Sequence, residues 1–291
     1  RFSIAKTSKS HILIISIIGF QNYTIHVSSK NQQLDIVLRD GVELNEVNIV
    51  TRKLGTMKLR SSVMNEDMIS SAELSRAACC NLGESFVTNP SVDVSYSDAA
   101  TGAKQIKLLG LSGTYVQMLT ENIPNYRGAA APYGLGYVPG PWMQSIQVSK
   151  GTSSVKNGYE AITGQINVEF KKPQLPEADW VSANLFASTT NRYEANADAT
   201  LKLSKRWSTS LLAHYENETK AHDGNDDGFV DIPQVEQYNV WNRWAYMGDH
   251  YVFQAGIKAL SETRTSGQAN HGGTMHSGDL YKVGIDTERY E

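Results

Sequence analysis

The stretch Asp223–Gln234, DGNDDGFVDIPQ, has the residue types and spacing of a cation loop. Asp223, Asn225 and Asp227 stand at its first, third and fifth positions, Gly228 at the sixth, the Phe229 carbonyl at the seventh and Asp231 at the ninth. Hard oxygen donors at alternate positions around a turn-making glycine suit Ca²⁺. Gln234 stands where a bidentate glutamate would close the loop, and no helical pattern flanks it, so this is not an EF-hand. The stretch reads as a structural Ca²⁺ site or as a solvated acidic connector. The first reading is favoured, because four carboxylates within nine residues repel one another unless a cation neutralises them.

A second candidate is NYRGAAAPYGLGYVPGPW, residues 125–142, with Tyr126, Arg127, Tyr133, Tyr137 and Trp142. Aromatic faces and one guanidinium can stack on or pair with an anionic ligand. They can equally pack the segment against neighbouring structure, and the sequence leaves the two readings level. Residues 91–104, SVDVSYSDAATGAK, are a weaker candidate of the same kind.

Elsewhere the chemistry is thin. His11, His26, His214, His222, His250, His271 and His276 show no ligand spacing. Met57, Met64, Met68, Met118 and Met143 read as core filler rather than as a copper path. Cys79 and Cys80 are adjacent, which strains a disulfide between them, and read as small buried residues. With no nucleophile–base pair and no activated carboxylate pair, no enzyme is expected. The net charge of −3 gives no nucleic-acid footprint. The longest apolar run, Ile12–Ile18, falls far short of the ~20 residues of a spanning helix and reads as a buried strand.

The elements that must carry these residues are mostly strands. Residues 1–42 alternate between strand-like runs and turn signals, as at the end of a small β-sandwich, and the first residues already read as the inside of a strand. EVNIV, Glu46–Val50, is a strand-like run alone between polar linkers, an edge open to pairing with another chain. Residues 61–172 are mixed. SSAELSRAA carries a capped-helix signal, GAKQIKLLGLSGTYVQMLTENIP reads as two strands around a turn at Leu111–Thr114, and Ser145–Lys150 and Gly164–Phe170 read as strands around a glycine-punctuated connector.

After Pro173 the pattern changes to strict alternation. In YEANADATLKL, residues 193–203, Tyr193, Ala195, Ala197, Ala199, Leu201 and Leu203 share one face, while Glu194, Asn196, Asp198, Thr200 and Lys202 share the other. Six such segments are expected, at about 179–190, 193–204, 207–219, 237–248, 250–263 and 278–290. The connectors at about 220–236 and 264–277 are long and polar, whereas NR, SKRW and GDH are tight. Strands of ~10 residues with unequal ends are the signature of a transmembrane β-barrel. A soluble sandwich has the same period, but it would not fill its core with Glu194, Asp198, Lys202, Lys258, Glu262 and Lys282. Trp180, Trp207, Tyr238, Trp244, Tyr246 and Tyr251 fall near strand ends, as an interfacial girdle requires.

EVNIVTR, QIKLLGLSGTYVQMLTENIP and PWMQSIQVSKGTSSVKNGYEAITGQINVEFKKP resemble the plug region of TonB-dependent outer-membrane receptors. The last block is the most specific, with Lys150-Gly151, Ser153, Ser154, Asn157-Gly158, Ala161 and Thr163-Gly164 ahead of the strand Ile166–Phe170. Residues 1–42 are similar to the end of a carboxypeptidase-regulatory-like domain.

The resemblance implies a mainly β chain. It would hold the end of a β-sandwich (1–42), a TonB box and linker (43–60), a mixed α+β plug (61–172) and about six strands at the start of a transmembrane antiparallel barrel (173–291). Six strands cannot close a barrel of about 22, and open edges are forbidden in lipid, so the chain is expected to be part of a longer protein. Glu46, Val47, Asn48, Ile49 and Val50 would be the TonB box, which a TonB protein joins by strand addition. If the plug enters from the periplasm, the long connectors face outside.

Residues 125–142 would line a substrate vestibule. The expected function is active import, across the outer membrane and its lipid, of a scarce metal chelate such as a ferric siderophore, haem or corrinoid, with no cofactor beyond the structural Ca²⁺. The alternatives are a carbohydrate or peptide importer working with a surface lipoprotein, and a soluble calcium-binding β-rich interaction module.

Overall fold

A computed structural model describes residues 11–15, 23–27, 36, 56–58, 65–76, 80–87, 89–153, 157–174, 178–269 and 281–291. The chain divides into two units, Arg1–Arg52 and Lys53–Glu291. In the first, β1 (His11–Ile15) and β2 (Tyr23–Val27) form an antiparallel pair with Leu13 opposite Ile25. Ile12, expected to be buried, is 61% exposed. Alternate side chains of a two-stranded ribbon face opposite sides, so an apolar run cannot be covered from one side alone. The rest of the expected sandwich lies largely outside the described residues, and Glu46–Val50 lie wholly outside them.

The second unit contains an inner domain and a wall. The inner domain is built on a six-stranded sheet and a three-stranded one. The six strands are β3 (Thr56–Lys58), β4 (Asn65–Ser70), β8 (Val116–Thr120), β9 (Ile123–Pro124), β10 (Met143–Lys150) and β11 (Gly164–Phe170), in the order β3-β4-β10-β11-β8-β9. The three are β5 (Val92–Asp98), β6 (Ala103–Leu108) and β7 (Leu111–Ser112). The expected helix is present as α1 (Ser71–Arg76).

The two strands expected around Leu111–Thr114 both exist but do not pair with each other. β6 turns back on β7 through Leu109 and Gly110, whose φ angles are 55° and 83°, and β8 leaves to run parallel to β11 in the larger sheet. Ile69, Leu82, Phe86, Leu108, Ile146, Val148, Ile166, Val168 and Phe170 bury side chains from both sheets in one core.

The wall is a meander of six antiparallel strands: β12 (Val181–Ala187), β13 (Arg192–Lys202), β14 (Trp207–Glu218), β15 (Gln234–Met247), β16 (Val252–Gly267) and β17 (Lys282–Tyr290). These are the six segments expected from alternation. Residues 203–206 and 248–251 connect strands tightly at one end, while 219–233 and 268–281 are the long connectors at the other.

The faces are sorted the opposite way from a soluble sheet. Glu194, Asn196, Ser210, His214, Glu216, Gln237, Asn239, Lys258 and Glu262 are buried, while Leu185, Tyr193, Leu211, Val240 and Ile257 are exposed. The outward face carries its rings at two levels. Trp207, Tyr246 and Tyr251 cluster near the tight-turn end, at centroid distances of 5.0 and 5.5 Å, with Tyr246 stacked on Tyr251. Tyr215 and Tyr238 pair at 4.9 Å near the other end. At ~3.3 Å per residue, the stretch from Trp207 to Tyr215 spans roughly 26 Å along the strand, the scale of an apolar membrane band.

Candidate functional site

The inner domain meets the wall along one face. It is held by charges that lie far apart in sequence. Arg243 is 5% exposed; its Nη1 donates to the Lys171 carbonyl and its Nη2 to both Glu121 carboxylate oxygens, all at 2.7 Å. Lys171 Nζ donates to Asp198 Oδ1 at 2.8 Å.

Toward the long connectors, Arg192 of the wall donates from Nη1 to Glu84 Oε1 of the inner domain at 2.7 Å. The same guanidinium forms ion pairs with Glu194 and Glu216 at 2.7 and 2.8 Å, off the hydrogen-bond line. Burial pushes the Glu84 carboxyl up, but the Arg192 guanidinium, by charge and by hydrogen bond, together with the Lys104 charge and the Cys80 N–H, outweighs it, so the carboxyl sits below its ordinary value of 4.5. A depressed carboxyl stabilises the fold above that value and loses its contribution as pH falls through the folded value. Thermal unfolding followed between pH 3 and 6 is expected to show an acid-side loss of stability that Glu84→Gln flattens.

An apolar patch sits within this polar face. Phe170 and Trp142 of the inner domain meet Trp241 of the wall at ring-centroid distances of 4.8 and 6.4 Å, and Leu212 and Leu260 join the same core. A polar cavity of about 60 Å³ lies nearer the long connectors, lined by Lys104, Arg192, Arg264, Glu216, Glu218 and Glu262. That is room for about four waters. The contact is therefore polar and charged around one dry centre.

The aromatic segment climbs this face. Tyr126, Tyr137 and Trp142 are 4%, 3% and 1% exposed, packed between the two layers. The Asn239 side chain donates to the Tyr137 carbonyl at 3.0 Å, and the Tyr133 ring lies 5.4 Å from the Arg264 guanidinium. Arg127 is exposed instead, and its Nε donates to both Glu160 oxygens at 2.9 and 2.8 Å. The β5–β6 tip reaches the long-connector end, where a Cβ on Gly102 would lie 3.0 Å from Pro233 and 3.2 Å from Arg264. Beside that hairpin, an open groove of about 340 Å³ is floored by Phe86, Val92 and Val94, with Tyr96 and Lys104 at its rim.

The acidic loop closes on itself. Asp223 accepts from the Asp227 and Gly228 N–H groups at 3.2 and 2.9 Å, and Asp231 accepts from Gly224 N–H at 2.7 Å. The Asn225 amide donates to Asp227, and Asp227 accepts from Phe229 N–H at 2.8 Å. No cluster of three or more His, Cys, Asp or Glu residues able to hold a metal occurs among the described residues.

Alternation in sequence pointed to Glu194, Asp198, Lys258 and Glu262 as inward, and they are buried. Lys202 and Lys282, assigned to the same face, are exposed at strand ends. Arg192, Arg243, Glu84 and Glu121 were missed. Their partners lie more than a hundred residues away, and only the register of the wall against the inner domain joins them.

A sheet with its polar side turned onto an inserted domain and its apolar side turned outward is the construction of a plugged membrane β-barrel. Residues 58–165 match the TonB-dependent Receptor Plug Domain family. The vitamin B12 transporter BtuB of Vibrio vulnificus (strain CMCP6) is 24% identical over 185 residues, which make up 64% of this chain and 30% of that protein. The fold is similar to that of the pyoverdine outer membrane receptor FpvA of Pseudomonas aeruginosa PAO1 (TM-score 0.55, 15% identity, 70% of this chain and 28% of that one). It is also similar to the ferric-catecholate import receptor Fiu of E. coli K12 (TM-score 0.53, 18% identity, 70% and 28%). The chain thus spans about a third or less of these relatives. Residues 58–165 are a plug domain of the TonB-dependent receptor type, and six antiparallel strands of wall follow it.

Proposed function

We propose that this chain forms the gate and part of the wall of an energised importer that takes a metal chelate across the outer membrane. The observation that carries the reading is the ion-paired contact of Arg192 and Arg243 with Glu84 and Glu121, which seats a separate domain against a membrane wall without welding it there. The relatives, by name, handle vitamin B12, pyoverdine and ferric catecholates, all of them metal chelates or their ligands. A ferric siderophore, haem or corrinoid would approach from the long-connector end. There the β5–β6 tip and its adjoining groove, with Tyr96 and Lys104, offer apolar, aromatic and cationic contacts. Glu46–Val50 would receive a TonB protein by strand addition.

The test is binding between a peptide spanning Leu44–Lys53 and the periplasmic domain of a TonB protein from the same source. Val47→Pro removes a ladder donor and is expected to abolish binding. Equal binding by both peptides, or binding by neither, would remove the energised step and with it this reading.

A further inference from the structure

Tyr126 holds a left-handed backbone, with φ at 51°. A tyrosine gains nothing from that conformation, because its Cβ crowds the following carbonyl, so the surroundings must hold it there. Three kinds of contact do so. The ring lies over Gly134, where a Cβ would come 2.5 Å from Tyr126 Cγ. Its hydroxyl accepts a hydrogen bond from Lys258 Nζ of the wall at 3.1 Å. The Lys258 ammonium and the Arg289 guanidinium lie 5.7 and 4.7 Å from the ring centroid.

Lys258 is 3% exposed, and its other charged partner is Glu291 at 3.5 Å. Asn125 Oδ1 accepts from the Tyr126 N–H at 2.8 Å and from Arg289, so the neighbouring residue is tied to the adjacent wall strand, β17. A strained backbone, a ring seated on a glycine and two wall cations thus meet at one residue. The segment that climbs the wall begins immediately after it.

We infer that Tyr126 is a positioning residue for the gate. Seated between Gly134 and Lys258, it clamps the near part of residues 127–137 to the wall. Loss of the ammonium–hydroxyl contact loosens that near part, turning about residue 126 as its φ returns to the ordinary negative range, while Gln237 and Asn239 hold the far end at Gly136 and Tyr137. The inference rests on the transport reading for its purpose. Its evidence is contact between the chain's own residues, and its test needs neither substrate nor energising partner.

The test is amide hydrogen exchange by mass spectrometry on a purified receptor carrying this chain. Tyr126→Phe and Lys258→Met are each expected to speed exchange across 127–133 by about tenfold, leaving β10 and β11 unchanged. The double variant is expected to exchange no faster than the quicker single one, because both remove the same contact. Lys258→Arg is expected to restore slow exchange. Unchanged rates, acceleration that spreads into β10 and β11, or additive effects would each overturn the inference. A failed TonB-peptide experiment would leave it standing, and its own failure would leave the transport reading standing.

Discussion

Replacing Arg243 with methionine in a receptor carrying this chain is expected to destabilise the seated plug by about 3–5 kcal/mol, the usual result of removing one partner of a buried ion pair. The size follows from what is left behind. Glu121 loses a charge partner that meets both its oxygens, and the Lys171 carbonyl loses its donor. The Arg243 guanidinium also lies 4.4 Å from the Trp241 ring, so the change reaches the dry centre of the contact. Arg243→Lys is expected to recover only part of the loss, since an ammonium is a point charge and cannot serve two acceptors as a planar fork does. Urea unfolding followed by tryptophan fluorescence would measure both. A loss under about 1 kcal/mol for the methionine variant would mean that the pair behaves as a surface salt bridge.

Gly164→Ala is expected to act on the plug core itself. A Cβ at this position would lie 2.2 Å from the Ser149 carbonyl oxygen and 2.3 Å from Leu108 Cδ2. The first obstacle is backbone, inside the β10–β11 ladder at the Lys150–Gly164 pair, and cannot rotate away. Relief requires that ladder to open, and the expected cost is about 3 kcal/mol, the upper end of the overpacking range. Gly151→Ala is the contrast. There φ is 92° and nothing lies within 4 Å, so only the backbone penalty of about 1–2 kcal/mol applies. Circular dichroism melts of the two variants should separate crowding from conformational preference; equal losses would show that φ, not contact, fixes the glycine at 164.

The wall was legible in sequence because its rule is local. A period of two, with polar and apolar faces kept apart, marks each strand from Val181 onward, and all six strands overlap the segments it marks, although β15 starts earlier and β16 runs further than the alternation suggested. The plug was less legible. The tight turn at Leu109 and Gly110 has no Asn-Gly or Asp-Gly signal, so it was placed two residues late and β8 was assigned the wrong neighbour. Segment 125–142 could be read as binding or as packing, because Tyr, Arg and Trp serve both. Burial separates Tyr126, Tyr137 and Trp142 from exposed Arg127, and burial is a property of the wall opposite rather than of the segment. Glu84 and Glu121 look like any surface carboxylate until a strand places an arginine against them.

The polar lining of the wall has a mechanical meaning. Two oily surfaces that separate in water must be pulled apart against the whole of their hidden area. Here each separating charge can be rehydrated as it leaves, and a lysine or arginine can slide to the next acceptor along the strand. Resistance to sliding then concentrates where Trp142 and Phe170 meet Trp241. In the proposed gating movement, that aromatic contact and the buried Arg243–Glu121 pair would be the points that resist sliding.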